Sequence, residues 1–395
     1  MSSELGQKKS GVRPICRMDG DHLDGRWLQT CDPRIIKRPD HFAYLRALPT
    51  VLGWYDYRLC YRQSATERMR TLQAISWSWR PKSCALTPVS GEVFDRWLGR
   101  RTLLFVGDSL SAQNFYSLIW LLGDAVESHA DIHGVSPEER SRQRPRSVQE
   151  MDKCASNVGN EGGFLSEARL RGGGRIVKIL RHAAFVDELY KLESVWWSGW
   201  LKQADIVILN VGHHYHVVDK GFHKYDKLAR VATKSLEQLM KPSAQLVFRT
   251  TNIGHLGCEN ASRPLRSRRD AWALLAEDPN VWAWQPKRSG TDFFKDKYSW
   301  RGPPLFEHAW SAADADTRSL GERFTYLNAS FLDARPDGHV ATSMRYSSST
   351  GRFGNKQKVE FPIDCLHYCY PGPSDYLALS LYNLLLNNPA RYGSG

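Results

Sequence analysis

The chain has 395 residues, with a hydrophobic fraction of 42% and a charged fraction of 24%, which is typical of a soluble globular protein. It contains no apolar run long enough for a membrane-spanning helix, and its polar N-terminus lacks the apolar stretch of a signal peptide. The net charge of +12 favours acidic polymers as partners. The basic runs at 140–146 and 266–269 lack interleaved aromatic residues, which argues against a nucleic-acid interface.

Residues 1–98 are irregular and hold four of the eight cysteines. We interpret them as a cysteine-rich N-terminal lobe that packs on a main domain over 99–395. The even cysteine count and the sequons at Asn260 and Asn328 favour an oxidising compartment of the secretory pathway. We therefore expect that any targeting segment is missing from this chain. We expect the protein to associate with a membrane only if an anchor is among the missing residues.

From residue 101 onward, strand patterns alternate with helix patterns. Thr102–Val106 is an apolar run typical of a buried strand, and the next segment has apolar residues at helical spacing. Alternation of this kind predicts a parallel sheet in an α/β fold. The remaining predicted elements are a long polar loop over 131–175, a strand over 206–209, an amphipathic helix over 225–240, a strand over 246–248, an insertion over 255–321 and a closing helix over 376–386.

The first predicted strand leads directly into Gly107-Asp108-Ser109. Serine and aspartate are common helix N-caps, and on these three residues alone a cap is the simpler interpretation. The alternative is a nucleophilic serine at the carboxyl edge of the sheet, where α/β folds bind their ligands. The tripeptide leaves both interpretations open.

Asp364 and His367 lie three residues apart, just before the closing helix. Within one helical or turn-like segment the carboxylate can accept the imidazole Nδ1–H, which leaves Nε2 free to take a proton from serine. An aspartate that caps a helix containing a histidine is an equally good local explanation. The combination of this pair with a strand-borne serine favours an acyl-transfer site.

Asn210 follows the predicted strand over 206–209, so it lies at the same sheet edge as Ser109. Its side-chain amide and the Ser109 backbone N–H are candidates for binding the oxyanion of a tetrahedral intermediate. His213, close behind it, is a candidate substrate-binding residue.

A zinc site is the main chemical alternative, because histidines cluster at 213–216 and Cys365, His367 and Cys369 alternate. Zinc sites usually combine two Cys pairs of matched spacing, and the pair around His367 has no such counterpart. We therefore predict no metal.

Taken together, Gly107-Asp108-Ser109, Asn210-x-Gly212-His213 and Asp364-Cys365-Leu366-His367 resemble motifs of the trichome-birefringence-like proteins, or PC-esterase family. The resemblance extends to the run WSWRPKSC at 77–84 and to three further segments. Those segments begin at Arg181, Arg249 and Arg335.

The resemblance implies a three-layer SGNH-hydrolase-like sandwich with a parallel central sheet, and a Golgi enzyme that transfers acetyl groups to polysaccharides. Ser109 would be the nucleophile, His367 the base and Asp364 its orienting partner, with Asp108 as the helix cap. Arg181 and Arg249 join Asn210 and His213 as candidates for oxyanion or substrate binding. The implied disulfides are Cys16–Cys84, Cys31–Cys154, Cys60–Cys369 and Cys258–Cys365.

The chain departs from the family pattern at two segments that, by the resemblance, would face the substrate. His213-His214-Tyr215 replaces His-Trp-Trp, and Arg181-His182-Ala183 replaces Arg-Ser-Pro. These departures leave the acceptor polysaccharide open. The aromatic residues Tyr215, Trp196, Trp197 and Trp200 are candidates either for an acceptor groove or for the core.

The resulting prediction is an O-acetyltransferase with no bound cofactor, which uses an acetyl donor as co-substrate and a polysaccharide as acceptor. One alternative is a carbohydrate acetyl esterase, since water can replace the sugar hydroxyl at the same site. Another is a polysaccharide-binding protein without activity, which would not need a base and an orienting carboxylate.

Overall fold

The protein is described by a computed structural model, which covers thirteen stretches of the chain. They are residues 13–29, 60, 64–131, 165–180, 197–210, 222–255, 257–277, 309–310, 312–313, 320–341, 344–348, 357–361 and 363–393.

The N-terminal part contains a small two-stranded sheet and two helices. Strand β1 (Gly25–Gln29) pairs antiparallel with β2 (Trp77–Pro81). Helix α1 (Ala65–Ile75) precedes β2, and helix α2 (Gly91–Leu98) follows it. Both helices begin after a serine whose side chain accepts a backbone N–H of the first turn, which is a typical N-cap.

A seven-stranded sheet forms the centre of the molecule, in the spatial order β4-β5-β6-β3-β7-β8-β9. The five strands β6, β3, β7, β8 and β9 run parallel to one another. Strands β5 and β4 extend the sheet beyond β6, each antiparallel to its neighbour. The strands are β3 (Thr102–Gly107), β4 (Val126–Asp131), β5 (Leu165–Leu170), β6 (Arg175–Leu180), β7 (Ile206–Leu209), β8 (Gln245–Arg249) and β9 (Phe324–Leu327).

Helices cover both faces of this sheet. In β3, Leu103 and Phe105 pack toward one face, whereas Leu104 and Val106 pack toward the other. The further helices are α3 (Ser109–Leu122), α4 (Ser198–Gln203), α5 (Phe222–Leu239), α6 (Arg268–Glu277), α7 (Ser374–Leu386) and α8 (Pro389–Tyr392). Helices α2, α3 and α7 cover the first face, and α4 and α5 cover the second. The expected three-layer α/β sandwich is therefore confirmed.

Besides β1–β2, two more short antiparallel pairs lie outside the central sheet in the described residues. Strand β10 (His339–Val340) pairs with β13 (Asp364–Tyr368), and the register shifts between the two residues of β10. Strand β11 (Met344–Ser348) pairs with β12 (Gln357–Phe361). The pair β10–β13 matters for function, because β13 carries both Asp364 and His367.

The prediction of a loop over 131–175 was wrong for its described part. Strand β5 occupies Leu165–Leu170, and β6 begins at Arg175. Only alternate residues of β5 are buried, so its sequence is half polar and lacks the continuous apolar run of a central parallel strand. Residues 132–164 lie outside the described residues.

The N-terminal sheet is joined to the main fold by a buried cation and aromatic rings. The Arg335 guanidinium lies 4.3 Å from the centre of the Trp27 ring and pairs with the Asp337 carboxylate at 2.8 Å. Trp27 also packs against Tyr376 of α7, with ring centres 4.9 Å apart. Helix α2 packs in the same core as α3 and α7. The domain boundary after residue 98 stays a prediction.

Three of the four implied disulfides are present: Cys16–Cys84, Cys60–Cys369 and Cys258–Cys365. They join residues that are 68, 309 and 107 positions apart, so each closes a long loop of the unfolded chain. On the chain-entropy account each contributes roughly 4–6 kcal/mol. The fourth pair, Cys31–Cys154, lies outside the described residues.

A search of the described helices finds none with both the length and the apolar character needed to cross a membrane.

Helix α7 begins with a buried carboxylate that makes stability depend on pH. Burial raises the pKa of Asp375 from its ordinary 3.8 to about 6, although the Gly372 N–H donates to the carboxylate. The folded chain thus holds this proton more tightly than the unfolded chain does. It follows that wild-type stability falls as the pH rises from about 4 to about 6.

We therefore expect Asp375→Asn, which mimics the neutral acid, to raise the free energy of unfolding at pH 8 by about 1–3 kcal/mol. At pH 4 the gain should shrink toward zero. Urea denaturation of both proteins at the two pH values measures it, and an equal gain at both would contradict the assignment.

Candidate active site

Ser109 is presented by the junction between β3 and α3. Asp108 is the N-cap of α3 and its side chain accepts the Leu110 N–H at 2.9 Å, which confirms the predicted capping role. A side chain at Gly107 would put a Cβ atom 2.5 Å from the Asn210 carbonyl oxygen, so this junction requires glycine. Ser109 is the first residue of α3, where backbone N–H groups have no intrahelical acceptor.

Asp364 and His367 meet inside strand β13 rather than in a helix. Asp364 Oδ1 accepts the backbone N–H groups of Leu366 and His367, at 3.1 and 3.0 Å. This side chain folds back over its own segment, and its second oxygen, Oδ2, lies 2.7 Å from His367 Nδ1. The expectation of a helical or turn-like segment is therefore corrected: pairing with β10 keeps the backbone extended, and the side chain of Asp364 supplies the turn.

The two parts of the site meet through one further hydrogen bond. His367 Nε2 lies 2.6 Å from Ser109 Oγ, although the residues are 258 positions apart in the chain. With Nδ1–H donating to Asp364, Nε2 carries a lone pair directed at the serine hydroxyl. Ser109 and His367 are 9% and 4% exposed, so the contact lies at a largely water-excluded edge of the sheet. This arrangement suits removal of a proton from Ser109.

Gln113 holds Ser109 and His367 in register, and no motif in the sequence pointed to it. Its Nε2 donates to the Tyr368 carbonyl at 2.7 Å, and its Oε1 accepts the Tyr368 N–H at 3.2 Å. Gln113 stands one turn after Ser109 on α3, whereas Tyr368 directly follows His367. One buried amide therefore ties the helix of the serine to the strand of the histidine. The available sequence signal was a polar residue four positions after Ser109, on the same helix face.

We expect Gln113→Leu to destabilise the fold by roughly 2–4 kcal/mol, because it leaves a buried N–H and a buried C=O without partners. Loosening the contact between Ser109 and His367 should also slow turnover by about 10²-fold. Urea denaturation and steady-state rates measure the two effects. Gln73→Leu, at an exposed position of α1, is the matched control and should change neither. A folded Gln113→Leu protein with a normal rate would show that the hydrogen bonds of Gln113 do not position Ser109 against His367.

Two further histidines support the back of β13. His339 Nδ1 lies 3.1 Å from the His367 carbonyl oxygen, and its ring stacks on Tyr368 at 4.5 Å between centres. His255 Nδ1 lies 2.8 Å from His339 Nε2. Burial lowers the pKa of His255 to about 4 and places that of His339 well below its ordinary value, so both rings are neutral at physiological pH.

Asp333 completes this buried layer. Its backbone oxygen lies 2.6 Å from His255 Nε2, and its carboxylate accepts the Ile253 N–H and pairs with Arg268 at 2.9 Å. Burial raises the pKa of this carboxyl to about 6, against the opposing effect of Arg268. Through His339, this layer holds the backbone carbonyl of His367.

Asn210 and Arg249 lie at the carboxyl ends of neighbouring strands, β7 and β8, and both are fully buried. Asn210 Nδ2 donates to the Arg249 carbonyl at 3.1 Å and to Thr251 Oγ1 at 2.6 Å. The Arg249 guanidinium donates to the Thr250 carbonyl at 2.7 Å. In this arrangement both N–H groups of the Asn210 amide are engaged, so an oxyanion would have to replace one of these acceptors. The assignment of both residues to oxyanion or substrate binding stays a prediction.

The other predicted site residues divide into two groups. Arg181 and His213 lie outside the described residues, as do Trp196 and Tyr215. Trp197 is fully buried in the core beneath the second face of the sheet, so it does not line a groove. Trp200 packs on the same core, with the Arg175 guanidinium 5.1 Å from its ring centre.

The cysteines beside His367 are structural. Cys365 is bonded to Cys258 and Cys369 to Cys60, so both sulfur atoms are oxidised rather than thiolate ligands. The backbone N–H of His255 also donates to the backbone carbonyl of Cys365 at 2.8 Å. The two disulfides brace β13 on either side of His367.

Comparison with known families gives one family match. A family described as PC-Esterase, a GDSL/SGNH-like acyl-esterase family found in Pmr5 and Cas1p, matches residues 88–384. This range contains Ser109, Asn210, Asp364 and His367, and it spans the whole central sheet.

Curated relatives align over most of the chain. Protein trichome birefringence-like 31 of Arabidopsis thaliana is 24% identical over 340 residues, which cover 79% of this chain and 72% of that protein. Xyloglucan O-acetyltransferase 1 of the same plant is 23% identical over 385 residues, covering 92% and 78%. Xylan O-acetyltransferase 14 of Oryza sativa subsp. japonica is 26% identical over 356 residues, covering 82% and 72%.

Proposed function

The chain belongs to the PC-esterase family, and from that premise we propose that it transfers acetyl groups to hydroxyls of a polysaccharide through an acetyl-serine at Ser109. Relatives named xyloglucan and xylan O-acetyltransferases support polysaccharide acetylation at the level of the family. The observation that carries the proposal for this chain is the hydrogen-bonded series Ser109–His367–Asp364, with contacts of 2.6 and 2.7 Å.

In the first half of the proposed cycle, His367 Nε2 takes the Ser109 hydroxyl proton as Oγ attacks the acetyl carbonyl carbon of the donor. The carbonyl electron pair moves to oxygen, and the Ser109 N–H is placed to stabilise that oxyanion. When the tetrahedral intermediate collapses, the bond to the donor's leaving group breaks and the imidazolium returns its proton to that group. Acetyl-Ser109 remains.

In the second half, a sugar hydroxyl takes the place of the leaving group. His367 Nε2 removes its proton, the sugar oxygen attacks the acetyl carbon, and a second tetrahedral intermediate forms. Its collapse breaks the bond to Ser109 Oγ, which regains a proton from His367. The products are an acetylated sugar and the free enzyme.

Hydrolysis to acetate is the second candidate, because the matching family is described as acyl-esterase and the same residues serve water as acceptor. Transfer requires a sugar held against the intermediate, and positioning of this kind is worth several kcal/mol over a loosely held water. A protein that only binds polysaccharide would not need the contact between His367 and Asp364.

The distribution of products separates the two reactions. With an activated acetyl ester as donor and a xylan- or pectin-like oligosaccharide as acceptor, we expect acetylated sugar to form faster than free acetate. The same assay without oligosaccharide is the control. If saturating oligosaccharide leaves acetate release unchanged and yields no acetylated sugar across neutral and acidic glycans, hydrolysis is the function.

We also place the protein in the secretory pathway, with the Golgi lumen as the compartment. Three disulfides that close long loops require an oxidising environment to form and persist. Cell fractionation that recovers the protein with cytosolic markers would contradict this placement.

A further inference from the structure

A cavity of about 540 Å³ lies between the N-terminal sheet and the segment that precedes α6, apart from the contact between Ser109 and His367. Its walls contain three cationic residues, Arg26, Arg263 and Arg266, and two aromatic residues, Trp27 and Trp77. One acidic residue, Asp270, lies in the same wall.

In the described wall of this cavity, cationic side chains outnumber acidic ones. Within the described part of the chain, the guanidinium groups of Arg26, Arg263 and Arg266 form no hydrogen bond or ion pair, and all three residues are exposed. Asp270 is the single carboxylate in the wall, and it accepts the Ser267 N–H at 3.1 Å. Three arginines against one aspartate leave a net charge of +2 around one concave surface. Guanidinium groups in this setting suit a carboxylate, which they bind through paired N–H donors.

The aromatic wall is rigid. The Trp27 indole N–H donates to the Phe331 carbonyl at 3.2 Å, and its ring is held by Trp79 and Tyr376, with ring centres 5.3 and 4.9 Å away. Trp77 lies in β2, paired with the last residue of β1. Amphipathic rings that are fixed in advance bind a flat ligand with little loss of side-chain entropy.

Leu265 connects the wall of the cavity to residues that neighbour Ser109 and His367 in the chain. Leu265, in the cavity wall, packs on the cluster that contains Trp27 and also on the cluster that contains Leu110 and Leu366. Leu110 follows Ser109, and Leu366 precedes His367. The Leu265 N–H donates to the Ala334 carbonyl at 2.9 Å, so this wall is anchored to the main fold.

We propose that the cavity is a binding subsite for a uronic acid unit of the acceptor polysaccharide. The arginines bind its carboxylate, and Trp27 and Trp77 contact its ring. The inference rests on the proposed function, since it names the class of acceptor as an acidic glycan rather than a neutral one.

The test measures binding to the Ser109→Ala protein, so the result does not depend on acetyl transfer. The two ligands are an oligosaccharide with glucuronic acid side groups and the same oligosaccharide after reduction of its carboxyl groups to alcohols. We expect the acidic form to bind roughly tenfold tighter or more. Adding Arg263→Gln and Arg266→Gln should abolish this preference. Asp270→Asn, the matched control in the same wall, should strengthen binding of the acidic form.

Equal affinities for the two ligands, no binding of either, or a preference that survives the double substitution would overturn the subsite. If the double variant fails to fold, salt titration of the Ser109→Ala protein decides. The acidic ligand should lose affinity with rising salt while the reduced ligand does not. A negative binding result overturns the subsite but leaves the proposed function standing. Failure of the wild type to form acetyl-Ser109 overturns the proposed function but leaves the binding result intact.

Discussion

Replacing Ser109 with alanine is expected to lower the rate of acetyl transfer by roughly 10⁶-fold, because serine, histidine and aspartate act as a unit when the serine is the nucleophile. The substitution removes only the Oγ atom that lies 2.6 Å from His367 Nε2. Acetylated sugar and free acetate should disappear together, since both would arise from acetyl-Ser109 in the proposed cycle. Binding of the oligosaccharide should persist. The rates of both products, measured with equal enzyme, test this expectation.

Ser111→Ala is the matched control. Ser111 stands two residues further along α3, is 1% exposed, and its hydroxyl has no hydrogen-bond partner among the described residues. Removing that hydroxyl should leave the rate within a few fold of wild type. A Ser109→Ala enzyme that keeps substantial transfer, with the control unchanged, would show that another group is the nucleophile.

Asp364→Asn is expected to slow the reaction by roughly 10⁴-fold with little change in folding. Asparagine keeps an oxygen for the N–H groups of Leu366 and His367, which the Oδ1 atom of Asp364 accepts in the wild type. Its amide N–H would then face His367 Nδ1 and force the ring proton onto Nε2. That tautomer cannot accept the proton of Ser109.

Comparing three variants isolates the effect of the tautomer. Asp364→Ala removes the turn as well as the charge, so it should lose both activity and thermal stability. Asp375→Asn makes the same chemical change at a buried carboxylate outside the site, and it should keep its activity. An Asp364→Asn enzyme within tenfold of wild type would mean that His367 does not depend on Asp364 for its tautomer.

The sequence predicted three of the five parallel strands, β3, β7 and β8, because they are buried on both faces and almost wholly apolar. It did not predict β6, where the buried Lys178 interrupts the apolar run, or β9, where three of the four residues are half-buried. Strand β3 lies between two other parallel strands, with helices on both faces, so all of its residues are buried and the apolar run is continuous. The antiparallel edge was missed because β5 is half exposed and resembles a polar loop. A strand that is buried on both faces of the sheet is therefore easier to predict from its sequence than a strand that is buried on one face.

Motifs predicted Ser109, Asp364 and His367 as site residues, but the geometry of these residues depends on contacts that no local pattern contains. The hydrogen bonds between Gln113 and Tyr368 join residues 255 positions apart in the chain, and the contact between His255 and His339 joins residues 84 positions apart. The backbone at Asp364 is set by pairing with β10 and by two disulfides, so the local spacing of Asp and His did not determine whether the segment is helical or extended. Such long-range contacts explain why the supporting residues were not predicted.

The most direct test of the acetyl-serine mechanism is mass spectrometry of the protein after brief incubation with an acetyl donor, without acceptor. The account predicts one added acetyl group on the peptide that contains Ser109, absent from the Ser109→Ala protein and discharged when oligosaccharide is added. Acetylated sugar formed by an enzyme that never carries acetyl on Ser109, or an acetyl group there that oligosaccharide does not remove, would contradict it.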